Sequence, residues 1–348
     1  MRSVTLGIKG DVLRAQGRLP EALAAYQQGL TIAKRLADHD PSTAGGQRDL
    51  AAAYDRMGDV LRAQGRLPEA LAAYQQGLAI TRRLADQEPS NANWQQDLAA
   101  AYDRLGDVQR AQGSFPEALD TYQQGLNIRQ KLADQNRSKA DWQRDLSVSY
   151  DRVGDILRAQ GKLPQALAAY QQGLVIAKRL ADQEPSNAGW QRDLSLSYGR
   201  TGEVFRAQGK VPEALGAYQQ GLAIAKRLAD QDPSNADWQR DLSVGYDKVA
   251  DILVAQGKVP EALAAYQEGL AIAKRLADQD PSNAGWQRDL IVAYYRTGIC
   301  AAQMDGEDSS GRATNFLHAG QDLAKLYPGR EKQDLLNAFN GALKLLNH

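Results

Sequence analysis

From Trp142 to Gln160 the apolar and small residues return at steps of three and four. Trp142, Leu146, Ser149 and Tyr150, Val153, Ile156 and Leu157, and Gln160 share one face. That spacing is helical. Asp145, Val148, Asp151, Arg152, Asp155 and Arg158 lie towards another face. Beyond Gly161 a second stripe runs through Leu163, Ala166, Leu167, Tyr170, Gly173, Leu174, Ala177, Leu180 and Ala181. It predicts a second amphipathic helix with a wide apolar face. The punctuation agrees. A Pro-Ser-Asn-Ala run precedes the first helix of most units, with Ser186 or Asn187 as the N-cap of one of them. Gly161 ends a first helix where positive φ is cheap. Pro164 falls in the first turn of a second helix, where a missing N–H does no harm. Each helix spans roughly 20 residues, about 30 Å.

This two-helix phrase is repeated. GDVLRAQGRLPEALAAYQQGL runs from Gly10 to Leu30 and returns unchanged from Gly58 to Leu78, 48 residues on. Pro20, Pro68, Pro116, Pro164, Pro212 and Pro260 keep that step. So do Pro41, Pro89, Pro185, Pro233 and Pro281, with Arg137 in the one remaining slot, and Trp94, Trp142, Trp190, Trp238 and Trp286. A chain whose units touch only their neighbours explains the strict length, because one insertion would break two interfaces. The expected fold is all-α, a solenoid of stacked antiparallel helix pairs. Residues 1–298 should hold six pairs, the first helix of the first pair shortened, plus the first helix of a seventh. Residues 299–348 should hold a degenerate last repeat and a capping helix.

Gly58, Leu61, Gly65, Leu67, Ala70, Tyr74 and Gly77 fall at the spacing of the tetratricopeptide repeat signature, and the chain resembles that family over nearly its whole length. It departs in period, which in that family is about 34. The added residues lengthen both helices. Such elongated repeats are similar to those of kinesin light chain and related bacterial proteins. Leu67 replaces the usual aromatic. The resemblance implies a right-handed superhelix whose first helices line a concave face that binds a peptide or partner protein.

The ends depart from the pattern. Arg2 stands in the register of Leu50, so either the first helix is short or the natural chain begins earlier. An uncapped end would offer apolar surface to an upstream domain or a second copy, which makes a homo-oligomer through the N-terminal end an alternative. Asp305 to Gly311 (DGEDSSG) reads as a turn-rich break, Ala313 to Tyr327 as a second helix, and Glu331 to Leu346 as a terminal helix. Asn337, Asn340 and Lys344 suit its solvent side.

Composition narrows the function class. The apolar fraction is 43% and the charged fraction 24%, and 42 basic residues balance 42 acidic ones. That balance argues against nucleic acid as a partner, which needs a basic excess on one face. No apolar run approaches the roughly 20 residues of a membrane helix, and no signal-peptide core is present, so a cytoplasmic, non-membrane protein is expected. The lone Cys300 reads as a small buried side chain. His39, His318 and His348 lack metal spacing. Ser147, Ser149, Ser195 and Ser197 have no repeated histidine to act as base and read as packing residues. No phosphate-loop glycine pattern occurs. No catalytic, cofactor or metal site is expected, and an enzyme is not.

The candidate site is the polar face of the first helices. Asp55 and Asp59, Asp103 and Asp107, Asp151 and Asp155, and Asp247 and Asp251 are like charges at i, i+4. Each pair costs a helix roughly 0.2–0.5 kcal/mol. Arg56, Arg62, Arg104, Arg110, Arg152 and Arg158 relieve them at i, i+3, and Arg200, Glu203 and Arg206 hold the same register in the unit where Gly199 replaces an Asp. Two readings follow. The stripe is a self-neutralised ladder, with Arg of one repeat between Asp residues of the next, or a groove that grips a protein or peptide with basic or mixed-charge side chains. A local rule broken repeatedly marks a place to look for function. The family's clamp for a C-terminal carboxylate is excluded, because Asp55 and Asp59 stand where Lys and Asn are needed. A structural or self-associating module, such as a fragment of a larger bacterial signalling protein, is the alternative function. A second basic stripe, Lys34 and Arg35, Arg82 and Arg83, Lys178 and Arg179, Lys226 and Arg227, and Lys274 and Arg275, reads as a solvated ridge at helix C-termini, or else as a contact for an anionic polymer.

Overall fold

The computed structural model describes residues 2–304 and 309–346, and all regular structure among them is helical. The first helices of the units are α1 (Arg2–Ala15), α3 (Ala44–Ala63), α5 (Ala92–Ala111), α7 (Ala140–Ala159), α9 (Ala188–Ala207), α11 (Ala236–Ala255) and α13 (Ala284–Ala301). The second helices are α2 (Leu19–His39), α4 (Leu67–Gln87), α6 (Phe115–Gln135), α8 (Leu163–Gln183), α10 (Val211–Gln231), α12 (Val259–Gln279) and α14 (Ser309–Leu326), followed by α15 (Lys332–Leu346). Helices pack on their chain neighbours from α1 to α7 and from α9 to α15, and α3 also touches α1 and α5. The register within a pair runs in opposite directions: Tyr74 lies against Gly58, and Gly77 against Asp55 and Ala51. The pairs are therefore antiparallel.

Turn chemistry sets where each helix stops. Gly65 has φ 75°, a conformation that only glycine adopts freely. Its N–H donates to Arg62 O at 2.9 Å and the Arg66 N–H to Leu61 O at 2.9 Å, which satisfies two carbonyls that the helix end would strand. Leu67 and Pro68 then open α4 at once. Between units the cap is asparagine rather than serine. Asn187 Oδ1 accepts from Trp190 N at 3.2 Å and Asn235 Oδ1 from Trp238 N at 3.1 Å. Thr43 and Lys139 hold this place before α3 and α7 and supply no side-chain cap.

The chain divides into two compact units, Met1–Ile176 and Ala177–His348. In the first, one core cluster joins Leu13, Tyr26, Val60, Tyr74, Leu98, Tyr102 and Val108, with Trp94 and Leu67 half-buried against it. A second gathers Ala118, Tyr122, Leu146, Val153 and Ile156. The second unit has the same kind of core, with Tyr218, Val249 and Ile252 in one cluster and Tyr266 with Cys300 in another. Cys300 is buried, and burial pushes its thiol pKa up. Each buried Leu, Ile or Val stabilises by roughly 1.5–3 kcal/mol.

At the C-terminus α13 continues to Ala301, past Gly298, and α14 begins at Ser309. The expected break therefore ends earlier than Gly311, and its first part, residues 305–308, lies outside the described residues, as does His348. Phe339 of α15 is buried edge-on to Tyr295, with ring centroids 5.4 Å apart, while Asn337, Asn340 and Lys344 face solvent.

Candidate functional site

Within each compact unit, charged side chains of neighbouring first helices meet at a seam. In the first unit Arg104 Nη1 lies 3.0 Å from Asp55 Oδ2. Arg152 bridges two carboxylates of the preceding repeat, with Nη1 at 2.6 Å from Asp107 Oδ1 and Nε at 3.7 Å from Asp103 Oδ2. Arg56 reaches Asp11 at 3.6 Å, and Arg14 reaches Asp59 at 3.6 Å. In the second unit Arg296 Nη1 lies 3.2 Å from Asp247 Oδ2 and 3.9 Å from Asp251 Oδ2. Lys248 reaches Glu203 at 3.4 Å and Arg206 reaches it at 3.2 Å. The relief for Arg56, Arg104 and Arg152 thus comes across repeats rather than at i, i+3. Each of these arginines reaches a carboxylate of the preceding repeat, not the next, and Arg152 lies between two of them. Arg62, Arg110 and Arg158 sit exposed in the last turns of their helices.

The two aspartates of each pair have different surroundings. Asp59, Asp107, Asp155 and Asp251 accept hydrogen bonds from Tyr74, Tyr122, Tyr170 and Tyr266, the first three at 2.6 Å. Burial and the adjacent carboxylate push all four phenols far above their ordinary pKa. Replacing these aspartates by Lys would remove the acceptor, so the fold does not treat them as freely reversible surface charges. The first aspartates are sunk into the seam. The side chains of Asp55 and Asp247 are only 18% and 15% exposed, and Asp151 is buried although its helical position suggested a solvent face. Burial raises the Asp55 and Asp247 carboxyls to about 6, against the pull of Arg104 and Arg296.

A second ladder runs along the N-terminal halves of the first helices. Arg48 pairs with Asp97 at 2.9 Å, Arg192 with Asp241 at 2.5 Å, and Arg240 with Asp289 at 2.6 Å. The glutamines beside them are buried, and Gln47, Gln143, Gln191 and Gln239 donate Nε2 to Ala37, Ala133, Ala181 and Ala229 carbonyls. Arg83, Arg227 and Arg275 donate to the Oε1 atoms of Gln47, Gln191 and Gln239. Part of the expected solvated ridge is therefore tied into the structure. The serines pack as expected, with Ser147 Oγ donating to Gly173 O at 2.9 Å and Ser195 Oγ to Gly221 O at 2.8 Å.

The sequence reading omitted Asp11, Arg14, Lys248 and Arg296 from the stripe. Asp11 stands 48 residues before Asp59, and Lys248 and Arg296 stand in the register of Arg56, so strict use of the period finds all three. Arg14 was open to the same method, one period before Arg62. Arg129 of α6 was missed for the opposite reason. It breaks the period, standing where the other second helices carry Ala or Thr. Its guanidinium pairs with Asp103 at 2.7 Å.

Tandem antiparallel helix pairs with a charged, laddered first-helix face define a helical-repeat protein. The chain belongs to the tetratricopeptide repeat family, whose profiles match residues 2–83, 49–124, 97–179 and 246–282. Proteins of this family are generally protein-interaction modules. Among solved structures it is similar to BtubC (BKLC) from P. vanneervenii, with a TM-score of 0.59 and 20% identity over 75% of this chain and 92% of that one. The apo form of RapI has a TM-score of 0.52 and 12% identity over 85% of this chain and 96% of that one. The C-terminal part of a repeat protein from Cytophaga hutchinsonii has a TM-score of 0.50 and 11% identity over 94% and 98%. These likenesses show the fold. No curated protein matches. No helix among the described residues is long and apolar enough to cross a membrane.

Proposed function

We propose that the chain is a non-enzymatic interaction scaffold whose first-helix face binds a protein or peptide segment with basic or mixed-charge side chains. The observation that carries this reading is the ladder itself. Its ion pairs are partly exposed, and pairs of that kind contribute only about 0–1 kcal/mol each. The tyrosine hydrogen bonds give Asp59, Asp107, Asp155 and Asp251 a structural role, but the ion pairs around them add little, and a charged stripe kept in four pairs is read as a binding face. Rigid helix pairs hold the side chains in place before binding, which lowers the entropy cost of capture. Asp59, Asp107, Asp155 and Asp251, with Arg62, Arg110 and Arg158, are the proposed contacts.

The test replaces those four aspartates by Asn, which keeps an acceptor for each tyrosine and removes the charge. On an array of synthetic peptides graded in net charge, the wild-type chain should retain Lys- and Arg-rich peptides in a salt-sensitive way. The Asn variant, with unchanged helix content, should lose them. Equal retention by both proteins would remove this site assignment.

A self-associating module is the second reading, favoured by one observation. Ile8, Val12 and Leu36 are exposed at the N-terminal end, whereas Val60 and Leu84, one period after Val12 and Leu36, are buried. Light scattering over a range of concentrations separates the readings: a strict monomer argues against self-association.

A further inference from the structure

Helix α6 carries its own answer to the buried carboxylate of the seam. Arg129 Nη1 and Nη2 reach Asp103 Oδ1 and Oδ2 at 3.2 and 2.7 Å, and Nη1 also reaches Ser149 Oγ at 2.9 Å. The two side chains are 11% and 14% exposed. Both carboxylate oxygens are therefore satisfied, in the planar two-pronged geometry that guanidinium favours.

One period earlier α4 has Thr81 in this place, and three periods later α12 has Ala273. A cavity is found at each. The first encloses about 180 Å³ and is lined by Asp55, Thr81, Leu84, Trp94, Asp97 and Arg104, among others. The second encloses about 260 Å³, and Asp247, Ala273, Leu276, Trp286, Asp289 and Arg296 take the same places in its lining. In both, the carboxylate uses Oδ2 for the ladder arginine, at 3.0 Å from Arg104 and 3.2 Å from Arg296. In both, Oδ1 is buried without a hydrogen-bond partner. The cations around the second cavity already have carboxylates: Arg240 has Asp289, Lys248 and Arg206 have Glu203, and Arg288 has Glu331. What lacks a partner is the acceptor. Trp286 adds an aromatic wall on which a guanidinium can stack, whereas in the first cavity Arg48 already lies over the Trp94 ring, 5.5 Å from its centroid.

We propose that these two cavities are guanidinium subsites, each taking an arginine side chain of a bound peptide in the place that Arg129 fills from within. The occupant rests on the peptide-binding reading of this face, and the geometry rests on Asp103, Asp55 and Asp247. Burial supports it, because a carboxyl held up at about 6 by desolvation gains from a cation that enters beside it.

The experiment titrates the full chain with the capped tripeptide Gly-Arg-Gly and its lysine and citrulline analogues, by calorimetry. The arginine probe should bind at two sites, and the uncharged citrulline probe should not. In the double variant Thr81→Arg, Ala273→Arg an internal guanidinium occupies each cavity, and affinity should fall by at least about tenfold. Arg129→Ala opens a third cavity and should raise the stoichiometry. It also keeps the idea falsifiable if the double variant does not fold. No gain in stoichiometry for Arg129→Ala, unchanged binding to a folded double variant, or equal binding of the three probes would each overturn the proposal. If it fails while the peptide array still distinguishes the Asn variant, the cavities are not subsites and the face reading stands. If the probe binds but no peptide is retained, the face reading fails by itself.

Discussion

The hydroxyl of Tyr74 donates to Asp59 Oδ1 at 2.6 Å, across the backbone of Gly58. A Cβ on Gly58 would come within 2.6 Å of the Tyr74 ring, so only the missing side chain lets the ring lie flat there. The bond joins core to site: a fully buried tyrosine of the second helix fixes the carboxylate that the first helix presents at the seam.

Tyr74→Phe should therefore lower stability by about 1–2 kcal/mol, somewhat under the roughly 1.5–3 kcal/mol of a hydrogen bond to a charged group, because Asp59 is partly hydrated. Chemical denaturation of the two proteins measures it. Asp59→Asn, which keeps an acceptor, should lose less than Asp59→Ala. The phenol pKa is raised in the folded chain. The bond's contribution is thus intact below the unfolded tyrosine pKa, about 10, and fades only as strong alkali ionises the phenol.

Stability should respond to pH at the two buried aspartates. The folded Asp55 and Asp247 carboxyls titrate at about 6, above the ordinary 3.8. Between these values the folded chain binds more protons than the unfolded one, so stability falls as pH rises through that window. Their contribution is complete below about pH 4 and gone above about pH 6. At 1.36 kcal/mol per pKa unit, each carboxylate costs on the order of 3 kcal/mol at neutral pH. Asp247→Asn should flatten the dependence of Tm on pH between 4 and 6 and raise Tm at pH 7. An unchanged slope would show that Asp247 ionises normally.

The period, the helix pairs and the candidate stripe were all legible in the sequence, because the turn residues repeat letter for letter. The pairing within the stripe was not. Whether Arg104 reaches Asp59 or the Asp55 carboxylate of the repeat before it depends on the offset between neighbouring first helices, which no single repeat encodes. Asp151 looked solvent-facing on a helical wheel. It is buried because the wheel counts one helix and the seam is made by two. Arg83 looked like part of a ridge because its acceptor, Gln47, lies 36 residues away. Arg129 was the least visible, since one departure from the repeat reads as drift until its partner Asp103 is placed beside it.

That distant acceptor explains why glutamine and proline recur together. Gln239 is buried, donates Nε2 to Ala229 O at 3.0 Å and accepts from Arg275. In an uninterrupted helix the Ala229 carbonyl would take the N–H four residues on. That residue is Pro233, which has none. The proline that stops α10 thus strands a carbonyl, and Gln239 of the following helix supplies the missing donor. Gln239→Leu keeps much of the volume but leaves both the carbonyl and Arg275 without this partner. It should cost about 1–3 kcal/mol, the penalty for a buried unsatisfied group. Arg275→Ala should cost less, because its side chain lies at the surface, and the double variant should show coupling of about 0.5 kcal/mol or more. The internal control is Gln143, which donates to Ala133 O at 3.0 Å where Arg137 replaces the proline. Arg137 has an N–H, so Gln143→Leu should be the milder substitution in a thermal melt. Equal losses at the two positions would mean that the glutamines stabilise by filling space rather than by replacing the proline's missing donor.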